Sequence, residues 1–133
     1  MSKINSAVES VMDLIDAMNT GFPPVTRGAL GTDAGISCEI APSNASEVYM
    51  DKNAYLVITL ALNAKHADLQ TLSDTLNDII DSLTRLKEYP EGDGWKIVDI
   101  SYGILPRVID REQNGLWLAA CDLTIKIYRK DDD

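Results

Sequence analysis

Residues 54–87 set the tightest limit on what this chain can fold into. The stretch opens as AYLVITLALN, an apolar run with strand character, and continues as AKHADLQTLSDTLNDIIDSLTRLK, an amphipathic helix. In the first part Leu56, Ile58, Leu60 and Leu62 fall on one face, and Tyr55, Val57, Thr59 and Ala61 on the other. Side chains alternate along a strand, and both faces are largely apolar, which predicts a central strand. Over 66–87, Leu69, Leu72, Leu76, Ile79, Ile80, Leu83 and Leu86 make one stripe. Asp74, Asp78 and Asp81 lie opposite it, with Arg85 one turn after Asp81 to pair with it. Burial contributes about 1.5–3 kcal/mol per large apolar side chain. The helix must therefore lie on the sheet that holds the strand.

The segments around this unit follow the same logic. Ile4, Val8, Val11, Leu14, Ile15 and Met18 recur at helical spacing and predict a helix over 3–19. Ser2 is its expected cap, in preference to Ser6 with Glu9 at capping-box spacing. Gly21 and Pro23 end it. Residues 20–35, TGFPPVTRGALGTDAG, are too long for a simple connection. They read as an arm or loop that orders against a neighbour, or as a plain surface loop. GISCEIA over 35–41 alternates as a half-buried strand. PSNAS is a turn, and 47–50 a short return strand that would close a hairpin. YPEGDG is a turn cluster. WKIVDISYGIL is a strand with Val98, Ile100, Tyr102 and Ile104 on one face. LPRVIDREQNG, 105–115, is a charged connection. LWLAACDLTIKIY is the longest strand, with Trp117, Ala119, Cys121, Leu123, Ile125 and Ile127 on one side. The last two strands predict an antiparallel hairpin over 95–129, and 130–133 is a tail. The order α, hairpin, β, α, β, β predicts one α+β domain over 1–133. It has an antiparallel or mixed sheet of four to five strands with two helices packed on it.

Composition narrows function mainly by exclusion. The chain has 133 residues and a formal net charge of −9. Phosphate and anionic membrane surfaces repel such a chain, which disfavours tight nucleic-acid binding and leaves room for an acidic surface that DNA slides past. The longest apolar run, 55–62, is too short to span a bilayer. The two cysteines, Cys38 and Cys121, have no CxxC spacing and read as buried thiols of a cytosolic product. His66, the one histidine, has no nucleophile or second ligand in a recognisable pattern. No phosphate-binding glycine loop, zinc spacing or pocketed carboxylate pair is present. No catalytic, cofactor or metal site is expected, and an enzyme is disfavoured. Trp95, Tyr102, Trp117 and Tyr128 read as sheet core or subunit interface rather than as a stacking platform.

Towards the C-terminus the chain resembles a family. The segment YPEGDGWKIVDISYGILPRVIDREQNGLWLAACDLTIKIYRK is similar to the end of small tail-terminator and tail-completion proteins of long-tailed bacteriophages, some described as minor capsid proteins. The likeness rests on Tyr89 and Pro90, on Trp95 and Ile97 leading a strand, and on Pro106. Asp110, Arg111 and Glu112 follow, then Trp117 in a final strand ending in Ile127 and Tyr128. GISCEIAPS, EVYMDKNAYL and the helix bearing Leu69, Leu76 and Ile80 extend it over about residues 35–130. Order and spacing together carry it, and no single motif is specific. Phe22, Pro23 and Pro24 have no counterpart in that pattern.

The resemblance implies a structural protein with a tail-terminator-like fold that assembles with itself into a hexameric ring. The ring would cap the head-proximal end of the tail tube, stop tube polymerisation and present a docking surface for the head. Implied partners are further copies of the chain, the tail tube protein, the head–tail connector protein, and DNA that passes the lumen without specific binding. No membrane is involved. The implied place is the head–tail junction of a virion made in the bacterial host cytoplasm. Closed rings need heterologous interfaces. Phe22, Arg27, Arg107, Asp110, Arg111 and Glu112 are the candidate interface residues, and Asp74, Asp78 and Asp81 a candidate acidic lumen face. A connector or stopper under the portal is the alternative. A small non-phage α+β ligand-binding domain or enzyme is the third reading.

Overall fold

The computed structural model describes residues 3–28, 30–41 and 55–129. The Ser2 cap, the 42–46 turn, the return strand at 47–50 and the 130–133 tail lie outside them.

The first helix, α1, spans Lys3–Ala17 and buries Ala7, Val8, Val11 and Ile15. Ser6 therefore lies inside the helix rather than at its cap. The helix tightens at its end, where the Met18 and Asn19 amides donate to the Ile15 and Asp16 carbonyls. Asn19 then adopts a left-handed φ of 55°. Asparagine tolerates that conformation, so the helix stops before Gly21 and Pro23 are reached.

Among the described residues there are seven strands, β1 (Thr26–Arg27), β2 (Gly35–Ile40), β3 (Tyr55–His66), β4 (Glu91–Gly92), β5 (Trp95–Tyr102), β6 (Arg107–Arg111) and β7 (Trp117–Arg129). They form one sheet in the order β1-β2-β3-β7-β5-β4, with β6 also on β7. Only β1 and β2 run parallel. The sheet is thus mixed and exceeds the four to five strands expected. The additional strands are short and lie in segments rich in turn residues, where too few positions exist for alternation to show. The final two long strands do pair antiparallel as expected, but the connection between them contributes β6.

β3 is interior, between β2 and β7, and pairs with β7 along its whole length. Leu56, Ile58, Leu60, Leu62 and Ala64 face the core, while Tyr55, Val57, Thr59, Ala61 and Asn63 are half-buried on the other side. From β7, Ala119, Cys121, Leu123, Ile125 and Ile127 join the same core. The second helix, α2, spans Leu69–Thr84 and buries Leu72, Leu76, Ile79, Ile80 and Leu83. It packs across β3, β5 and β7, and α1 packs against β4 and β5. The result is two layers, with both helices over one face of the sheet and the core between them.

Several boundaries moved: α1 ends at Ala17 rather than 19, α2 at Thr84 rather than 87, and β5 at Tyr102 rather than 105. The strand expected to end at residue 62 runs to His66, because Asn63, Ala64 and Lys65 find partners in Ala120, Ala119 and Leu118. The helix expected from residue 66 starts at Leu69, where Asp68 accepts from the Thr71 amide as its N-cap. In β5 the register slips between Ile97 and Asp99. Trp95, Ile97 and Ile100 are therefore the buried residues, and Val98 is half-buried. Of the face expected from strict alternation, Val98 to Ile104, Ile100 is buried and Tyr102 pairs on the same side with Leu123, but Tyr102 and Ile104 are exposed, and the slip adds Trp95 and Ile97 to that side. A bulge of this kind places one unpaired residue in the strand and reverses alternation beyond it.

Candidate interaction surface

The paired strands β3 and β7 carry several polar and aromatic side chains at one end of the sheet. His66 and Trp117 are register partners there. The Phe22 ring stacks at 44° on His66, with centroids 5.0 Å apart. The Arg111 guanidinium lies 5.0 Å from the centre of the Trp117 ring, near enough for cation–π attraction. One residue earlier on β3, Lys65 is almost fully buried. Its Nζ donates to the Gly31 carbonyl at 2.9 Å and pairs with Glu112 Oε1 at 2.9 Å. Asn114 Nδ2 donates to the Thr32 carbonyl at 3.0 Å.

These contacts change the reading of two segments. The arm at 20–35 orders against its own chain. Val25 is buried, its amide donating to Asp16 Oδ1 at 2.9 Å, and Gly28 donates to the Cys38 carbonyl. The tip of the arm is pinned by Lys65 and Asn114 to the loop between β6 and β7. Two stretches about 80 residues apart in sequence thus form one continuous surface.

The sequence-selected residues divide into groups. Phe22, Arg111 and Glu112 belong to this end of the sheet. Arg27 lies on β1, exposed, with Nη1 3.5 Å from Asn5 Oδ1 on α1. Arg107 and Asp110 are exposed on β6. Asp74, Asp78 and Asp81 are exposed on α2. Asp74 accepts from Gln70 at 2.9 Å, and Asp81 pairs with Arg85 at 2.9 Å, one turn on as expected. The structure does not bring the Asp row together with the other six.

Sequence reasoning missed Lys65 and Asn114, whose partners are backbone carbonyls that no spacing reveals. It also missed an apolar ridge. Tyr102, Ile104, Leu105, Val108 and Ile109 are each 45–55% exposed. The run ILPRVI, apolar without alternation, was its only signal. Tyr102 and Leu105 also line a groove of about 480 Å³ against Asp78 and Asp81 of α2.

Chemistry is sparse. Among the described residues no cluster of three His, Cys, Asp or Glu could hold a metal ion. Both cysteines are buried and unpaired. Burial pushes the Cys38 thiol up to about 11 and the Cys121 thiol up to about 12. The Thr71 hydroxyl, with backbone donors behind it, holds the Asp68 carboxyl below the usual range. Among the described residues no helix is long and apolar enough to cross a membrane.

No family model matches the sequence, and no curated protein matches it. Among solved structures, the fold is similar to a chain of the virion of a native gene transfer agent particle. The TM-score is 0.56 and the identity 16%, covering 95% of this chain and 93% of that one. The likeness is one of fold. It runs almost end to end in both chains, so it concerns the whole architecture rather than a shared strand–helix unit.

Proposed function

We propose that this chain is a structural component of a phage-type virion that caps the head-proximal end of the tail tube. The observation that carries the reading is the end-to-end fold likeness to a virion chain. It agrees with the independent sequence resemblance to tail-terminator proteins over about residues 35–130. In this reading the chain works by capping and docking, without catalysis or cofactor. Copies of it close into a hexameric ring at the head–tail junction, one face meeting the tail tube protein and the other the head–tail connector. DNA passes through the lumen, repelled rather than bound, in keeping with the net charge of −9. The Asp74, Asp78 and Asp81 row is the lumen candidate.

Electron micrographs of particles from a phage lacking the gene test this. Overlong tails are expected. Full-length tails beside unjoined heads would instead assign the protein to the connector or stopper position, and normal joined particles would remove it from the junction.

A further inference from the structure

We infer that the β6 edge of one copy docks against the β1–β2 edge of a second copy, so that unlike edges meet head to tail. The inference deepens the ring reading and rests on it. At one end of the sheet the strands run β1-β2-β3-β7-β6. Their pairing places Thr26, Ser37, Asn63, Ala120 and Arg107 in a single cross-strand row. Four strand spacings of about 4.8 Å separate the ends of that row by about 19 Å. Thr26 and Arg107 therefore mark opposite sides of the molecule. Among the described residues neither β1 nor β6 has a strand on its outer side. Such edges invite pairing with another chain.

The directions agree. β1 is parallel to β2, and β2, β3, β7 and β6 alternate in sense. β6 thus runs opposite to β1, and a second copy placed beside the first in the same orientation brings the two edges together antiparallel, the more stable pairing. Because the edges differ, the contact is heterologous and each copy keeps one edge for the next, as a closed ring requires.

The side chains agree as well. With strands level, Ile104 falls in the row of Glu39, next to Ile40, since both Ile104 and Glu39 sit beside the Ala61–Asp122 pair. Arg107 then stands at Thr26, within reach of Glu39, while Arg27 is turned to Asn5. Val108 comes level with Val25, and the bulged Ile109 comes beside the exposed Pro24. Apolar residues exposed on one edge meet apolar residues exposed on the other, and a cation meets an anion. The bulge at Ile109 interrupts the ladder, so side-chain packing carries much of the contact.

Cysteine cross-linking tests the assignment, because Cys38 and Cys121 are buried and silent. The full chain carrying both Thr26→Cys and Arg107→Cys, oxidised at high protein concentration, should give a ladder of linked species on non-reducing gels, extending to six. Each single variant should stay monomeric, and a mixture of the two singles should stop at dimer. The two sulfurs of one copy are too far apart to join. Dimers from Arg107→Cys alone would overturn the inference in favour of like edges meeting, and the absence of a ladder from the double variant would overturn it outright. Should Thr26→Cys fail to fold, the pair Pro24→Cys with Asp110→Cys, both exposed and level by register, reads the same contact. A ladder from a protein whose loss leaves tails normal would retain this contact and remove the terminator role. Overlong tails without a ladder would do the reverse.

Discussion

Replacing Lys65 with Met should loosen the arm and the β6–β7 loop together. The Lys65 ammonium makes two bonds of 2.9 Å, to the Gly31 carbonyl and to Glu112. Hydrogen bonds to charged groups contribute about 1.5–3 kcal/mol each. Methionine keeps the aliphatic stem in place, and water can then solvate Glu112, whose side chain is 34% exposed, and the arm carbonyl. The net loss should be about 2 kcal/mol, or about 7 °C in Tm for a domain of this size. Glu112→Gln retains an acceptor and should cost about 1 kcal/mol. The double variant should show about 1 kcal/mol of coupling, as contacting residues do. Hydrogen exchange followed by mass spectrometry locates the effect. Amides in 30–35 and 112–116 should both exchange about tenfold faster in Lys65→Met, while those of α2 scale only with global stability. Exchange that rises in one segment and not the other, or a Tm loss with no local change, would refute the pinning of the arm to the loop.

Three further outcomes follow from the same packing. Cys38 and Cys121 should resist a thiol reagent at pH 8 in the folded protein and react on addition of denaturant. Burial holds both thiols protonated, with pKa values of about 11 and 12, so reactivity in the fold should rise only above pH 10. Ser37 is fully buried and its hydroxyl has no partner among the described residues, so Ser37→Ala should raise the urea midpoint, by about 1 kcal/mol in stability. Gly92→Ala should destabilise the β4–β5 turn, since an added Cβ would lie within 2.6 Å of three atoms of the Trp95 indole. A loss of near-ultraviolet circular dichroism from Trp95 together with a lowered Tm would report it.

The parts of the fold that were legible in the sequence are those governed by long periodic runs. The Leu72 to Leu83 stripe and the Leu56 to Leu62 face each repeat often enough to fix their element and its buried side, and they meet in the core as expected. What the sequence hid was decided by tertiary partners. Lys65 reads as a helix-proximal cation until its pairing with Leu118 makes it part of a strand, on the face away from the core, where the arm covers it. β1 exists only because Cys38 offers it an edge, and β6 only because β7 outruns β5. The slip at Val98 is invisible to any period-two reading and brings Trp95 and Ile97 onto the same buried face as Ile100. Of the selected interface residues, Phe22, Arg111 and Glu112 gather at one end of the sheet because His66, Trp117 and Lys65 hold them there. Arg27 and Arg107 share a cross-strand end at opposite edges, a relation that only the register reveals.

The capping role is tested most directly by adding the purified chain to tail tube protein while it polymerises and measuring tube lengths by electron microscopy. Elongation should stop, and each halted tube should carry the protein as a ring at one end. Tubes that lengthen at the same rate with the protein present, and bear none of it at their ends, would contradict it.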